Sequence, residues 1–154
     1  METRLKVAER IAQEASLLAL DYFRRLSESE IGEKRPQDLF SEANREVENL
    51  IRQRLEHHFP QDAIIGEEHG GEPGASYWSV DPIDGTSHFL RGSSLWGISV
   101  GYVIDGEPVM GVIVHPVLNL MLSGGKETGV YLNGEPFQRP VVAEALKTVD
   151  RKSV

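Results

Sequence analysis

An α+β fold, with two N-terminal helices packed on an antiparallel sheet, is what this sequence predicts. The apolar period changes once along the chain, from three-and-four steps to strand-like runs. Glycine changes with it: one glycine, Gly32, lies in residues 1–60, and fourteen lie in 61–154. Tight-turn dipeptides then separate the later apolar runs.

The first helix is predicted over 3–27. Leu5, Ala8, Ile11, Ala12, Ala15, Leu18, Ala19, Tyr22, Phe23 and Leu26 share one face. Gly32 and Pro36 interrupt the pattern. A second helix is predicted over 42–58, capped by Ser41 and stopped by Pro60, with Val47, Leu50, Ile51, Leu55 and Phe59 on its apolar side.

Strands follow. Ala63-Ile-Ile and Tyr77-Trp-Ser-Val are short runs leading into turns. Residues 95–104 and 109–114 are apolar and β-branched, joined by Asp105-Gly106, a hairpin signal. Residues 117–122 and 129–132 come next, with turns expected at Gly124-Gly125 and Asn133-Gly134. Short tight connections imply antiparallel pairing. The strands 95–104 and 109–122 are almost continuously apolar, which predicts cover on both faces. The two helices can supply only one cover.

The composition narrows function. There are 16 Lys+Arg against 24 Asp+Glu, for a net charge of −8. An acidic balance excludes nucleic acid and anionic membrane as expected partners, since both need clustered bases. The absence of cysteine removes disulfides, thiol nucleophiles and Cys-ligated metals. No leader or membrane-length apolar run is visible, so a soluble cytoplasmic protein is expected. Residues 62–107 hold eight acids and one base, Arg91, and so carry most of the net charge.

Within that acidic segment lie Ile64-Ile-Gly-Glu67-Glu68 and Trp78-Ser-Val-Asp81-Pro-Ile-Asp84-Gly85-Thr86. Two carboxylates three residues apart, with a proline fixing the turn between them, can converge on one point. Carboxylate oxygens suit Mg²⁺ or Mn²⁺. Gly85 and Thr86 then offer backbone N–H groups and a hydroxyl, and a helix starting there would face phosphate. Acids beside turns also occur simply as solvated side chains. The residues alone leave both readings open.

Asp81-Pro-Ile-Asp-Gly-Thr86, preceded by Gly66-Glu67-Glu68, resembles the paired signature of the inositol monophosphatase family of Mg²⁺-dependent phosphatases. Asp38 to Glu48, Gly111 to Val117 and Gly129 to Gly134 resemble further family stretches, so the likeness runs from the first helix to about Phe137. It implies the N-terminal half of a layered αβαβα sugar-phosphatase fold, with an α+β domain over 1–138 and a separate tail over 139–154. It implies hydrolysis of a small phosphate monoester such as inositol monophosphate, with Mg²⁺ (or Mn²⁺) as cofactor, and a homodimer. By position, Glu67 would bind metal and activate water together with Thr86. Asp81 would bridge two metals, the Ile83 carbonyl would complete one shell, and Asp84 would bind the second metal. Asp84, Gly85 and Thr86 would hold phosphate or substrate.

The sequence also departs from the family. Asn44 stands where the family usually has Asp, and no Trp-Asp-x-Ala-Ala-Gly motif follows the strands. Both departures make a shortened phosphatase, or a non-catalytic binding member, the expected alternatives. Arg91 to Gly97 resembles the histidinol-phosphate branch, and His115 to Asn119 the branch acting on adenosine 3′,5′-bisphosphate. Glu68 and His88 are weaker site candidates. His57-His58, Gly124-Gly125-Lys126, Trp78 and Trp96 are read as structural: adjacent histidines diverge on a helix, and the tryptophans suit the core.

Overall fold

The computed structural model describes residues 3–28 and 35–138; the predicted tail at 139–154 lies outside them. Helix α1 spans Arg4–Glu28 and α2 spans Pro36–His58. A single sheet follows in chain order: β1 Ala63–Gly66, β2 Ser76–Asp84, β3 Gly97–Ile104, β4 Glu107–His115, β5 Leu120–Gly125, β6 Gly129–Leu132 and β7 Glu135–Pro136. A short helix, α3, occupies Thr86–Leu90 between β2 and β3.

Helix α2 begins six residues before the expected start. Pro36 does not break a helix here; it opens one. Its fixed φ suits the first helical position, where its missing N–H costs nothing, and Arg35 ahead of it is extended. Ser41 is therefore an interior residue rather than a cap.

The strand pairing corrects the expectation at one end. All pairs from β2 to β7 are antiparallel, but β1 runs parallel to β2. The Asp105-Gly106 hairpin stands as expected. The Gly124-Gly125 turn does not. Both glycines pair within β5, and the chain reverses after them at Lys126 to Thr128. The expected strand 117–122 is also broken, by a 3₁₀ turn over Pro116–Leu118 and a left-handed Asn119.

The helices cover one face of the sheet. Small α1 residues Ala8, Ala12 and Ala15 bring that helix close, and Ile11, Val47, Ile51 and Leu55 pack with Trp78, Val80, Ile98, Val100 and Val112. Burying each of the larger apolar side chains contributes about 1.5–3 kcal/mol. Trp78 and Trp96 are both fully buried core residues, as their sequence context suggests. Trp78 donates from Nε1 to Asp62 at 3.0 Å. A polar contact ties α1 to β5: Ser123 donates to the buried Glu9 carboxylate at 2.6 Å.

The opposite face bears Ile113, Leu120, Leu122 and Val130, all exposed. Gly101, Gly111 and Gly124 pair directly across β3, β4 and β5, so a shallow trough crosses this face. Among the described residues no helix is long and apolar enough to cross a membrane.

Candidate metal and phosphate site

The parallel pairing of β1 and β2 builds the site. Gly66 at the end of β1 pairs with Val80 of β2. The next residues of the two strands, Glu67 and Asp81, therefore emerge side by side. An antiparallel pair would have sent them to opposite edges. The Glu67 carboxyl lies within hydrogen-bonding reach of Asp81.

Past Asp81 the ladder to β3 slips. Asp81 pairs with Ser99 but Asp84 pairs with Gly97, so Pro82 and Ile83 form a bulge. Ile83 is buried, and its backbone N–H lies close enough to Asp81 to favour the ionised carboxyl. Asp84 is exposed, and close enough that its charge acts on Asp81. Burial foremost, then the charges of Glu67 and Asp84, push the Asp81 carboxyl up to about 6.

Gly85 turns the chain with φ of 92°, in the left-handed region, and a Cβ there would sit 3.1 Å from the Leu95 carbonyl oxygen. Thr86 then opens α3. The helix is anchored by buried Phe89, whose ring lies 4.9 Å from Trp96 and 5.3 Å from Phe23. The first N–H groups of such a turn have no partner within the helix. His88 is exposed, and its Nδ1 lies 3.2 Å from Ser93 Oγ, so it braces the following loop.

Asn44 comes to the same region from α2. It is buried and donates from Nδ2 to Glu68 Oε1 at 2.6 Å. Glu48, one helical turn further on, is fully buried and had no role in the sequence reading. It accepts from the backbone N–H of Glu68 at 2.7 Å and of His69 at 3.2 Å, and from Arg52 Nε at 2.8 Å. Burial would raise its pKa, but these donors prevail and hold it below the usual range. A signal for it existed: Asn44, Glu48 and Arg52 form a polar i, i+4, i+8 row beside the apolar stripe of the same helix.

The residues fit a divalent cation. Asp81 Oδ1 and Asn44 Oδ1 are buried without a hydrogen-bond partner among the described residues. A buried carboxylate oxygen left open beside two further carboxylates is what a hard cation satisfies. Among the described residues no three acidic or histidine side chains are already drawn to metal-holding distance.

The sequence model of the inositol monophosphatase family matches residues 1–153. The chain belongs to the inositol monophosphatase family. It is 36% identical over 146 residues to a histidinol-phosphatase of Chlorobaculum parvum, covering 94% of this chain and 56% of that protein. It is 34% identical over 118 residues to inositol monophosphatase 1 of Solanum lycopersicum, covering 73% and 43%. Among solved structures, the inositol monophosphatase of Thermotoga maritima aligns with a TM-score of 0.75 at 28% identity, covering 89% of this chain and 54% of that one. That of Zymomonas mobilis aligns with a TM-score of 0.74 at 30% identity, covering 90% and 53%. This family member thus spans about half the length of these relatives. Its two helices and mostly antiparallel sheet are the matching half of the fold.

Proposed function

We propose that this chain carries the metal- and phosphate-binding part of a phosphatase that hydrolyses small phosphate monoesters, with Mg²⁺ as its cofactor and Mn²⁺ as a substitute. The observation that carries the reading is the meeting of Glu67, just past the end of β1, with Asp81 and Asp84 in the last residues of β2, Gly85 and Thr86 being next in the chain.

Glu67, Asp81, the Ile83 carbonyl and Asp84 would hold the cations. When bound, these ions supply positive charge to phosphate oxygens and acidity to water. The Thr86 hydroxyl and the Glu67 carboxylate orient the attacking water, and Glu67 accepts its proton. The Gly85 N–H and the Thr86 hydroxyl hold the phosphate oxygens against the growing negative charge. The bulge at Pro82 and Ile83 keeps Asp81 and Asp84 turned toward one centre. On the family resemblance, the reading extends to a homodimer working in the cytoplasm.

The substrate favoured first is an inositol monophosphate-like ester. Histidinol phosphate is a second reading, supported by the histidinol-phosphatase that matches 94% of the chain. Phosphate release from both esters, with and without Mg²⁺, tests the proposal, with Asp81→Asn as control. Metal-dependent release that the control loses supports it. Heat of Mg²⁺ or Mn²⁺ binding without turnover favours the non-catalytic member that Asn44 suggests. Neither heat nor turnover overturns the proposal.

A further inference from the structure

The turn that carries Glu67 and Glu68 is gripped from inside by helix α2. Gly66 and Gly70 close it with two mutual backbone hydrogen bonds of 3.0 Å. Glu48 reaches up from the helix to the N–H groups of Glu68 and His69, and its Oε1 lies 3.1 Å from His69 Nδ1. Arg52 holds Glu48 in place and donates onward to the Ile64 carbonyl at 3.3 Å and to the Gly70 carbonyl. Both flanks and the crest of one five-residue turn are thus fastened to one ion pair, of which Glu48 is fully buried and Arg52 partly so.

The fit leaves no slack. A Cβ on Gly66 would fall 2.1 Å from Glu48 Oε1 and 2.4 Å from its carboxyl carbon. Gly66 is a glycine because the carboxylate occupies that space. The ion pair is an expensive device for stability alone, since a fully buried carboxylate rarely outdoes an apolar side chain in the same space. Its donors and acceptors all converge on the loop beside Asp81.

We propose that Glu48 is a positioning residue: it fixes the backbone of residues 66–69 so that the Glu67 carboxylate stays opposite Asp81 for cation binding. This role rests on the metal-site reading above. Glu48 touches neither the cation nor the substrate. It acts through the peptide groups that orient Glu67, as groups behind metal ligands commonly do.

Two variants separate positioning from bulk stability. Glu48→Gln keeps the shape but sets an amide against N–H donors. Gly66→Ala keeps every charge and drives a methyl into the space of the carboxylate. Ile51→Val, buried in the same helix, controls for general loosening. Mn²⁺ affinity is measured by calorimetry, folding by circular dichroism, and the Glu68 and His69 amides by hydrogen exchange. Each variant is expected to bind Mn²⁺ about 10–100-fold more weakly. The double variant should be no weaker than the worse single, since both disable one contact. Exchange at Glu68 and His69 should quicken selectively, and Ile51→Val should change neither readout. If Glu48→Gln fails to fold, Gly66→Ala alone carries the test. Wild-type Mn²⁺ affinity in Gly66→Ala, or in a folded Glu48→Gln, overturns the role of Glu48 while leaving the metal reading intact. A wild-type protein that gives no Mn²⁺ heat overturns the metal reading itself, and the role of Glu48 with it.

Discussion

The Asn44 amide donates to the Glu68 carboxylate at 2.6 Å while its own carbonyl oxygen is buried with no hydrogen-bond partner among the described residues. The contact works because the amide is neutral and can donate. An aspartate at this position has no donor when ionised and would face Glu68 with a like charge.

Asn44→Asp should therefore destabilise the metal-free protein by about 1–3 kcal/mol, from the lost hydrogen bond and the new buried charge. Saturating Mg²⁺ should recover most of the loss, because the added carboxylate strengthens cation binding. Thermal melts of both proteins with EDTA and with Mg²⁺ check this. A variant equally unstable in both conditions would detach Asn44 from the cation site.

Asp81 makes stability depend on pH in a definite direction. Its folded value, about 6, is above the ordinary 3.8. Below about pH 4 the carboxyl is protonated in both states and contributes nothing. Between about pH 4 and 6 the folded state keeps a proton the unfolded state has lost, so stability falls as pH rises, and above about 6 the full penalty remains. In EDTA, Asp81→Asn should match wild type near pH 4 and exceed it increasingly up to pH 6. Urea unfolding across this range tests the sign.

Gly85→Ala should cost about 1–3 kcal/mol, because φ of 92° is strained for any side chain and the methyl would press on the Leu95 carbonyl. It should also weaken inhibition by inorganic phosphate more than it weakens Mn²⁺ binding. Equal loss of both would assign Gly85 a purely structural part.

Ser123→Ala removes the only side-chain hydrogen bond found, among the described residues, between α1 and β5. A bond to a buried carboxylate is worth about 1.5–3 kcal/mol, and among the described residues Glu9 would keep Lys6 Nζ, at 2.8 Å, as its side-chain partner. A lower urea midpoint with an unchanged slope is the expected outcome.

Much of this molecule was legible in its residues. The α1 stripe and the Asp105-Gly106 hairpin follow from local pattern, and the acidic residues 67, 81 and 84 stand out in two short motifs of one acid-rich segment. The parallel run of β1 was not legible, because Ala63-Ile-Ile carries apolarity but no direction. The early start of α2 was hidden by Pro36, which reads as a breaker until its place at the first turn is known. Glu48 escaped for another reason: a buried glutamate looks like any polar helix residue until the turn that it grips is folded over it.

The order of the sheet has a further consequence for how the protein is made. Strand order equals chain order from β1 to β7, so each new strand meets a neighbour already synthesised. The strand pairings and hydrogen bonds that bring Asn44, Glu48, Glu67, Asp81 and Asp84 together lie within residues 44–99. A nascent chain emerging from the ribosome can therefore complete that centre before β4 exists. Folding that proceeds through such short loops is fast, because little chain entropy is lost at each closure. The later hairpins then extend an edge that is already in place, rather than waiting on a distant partner.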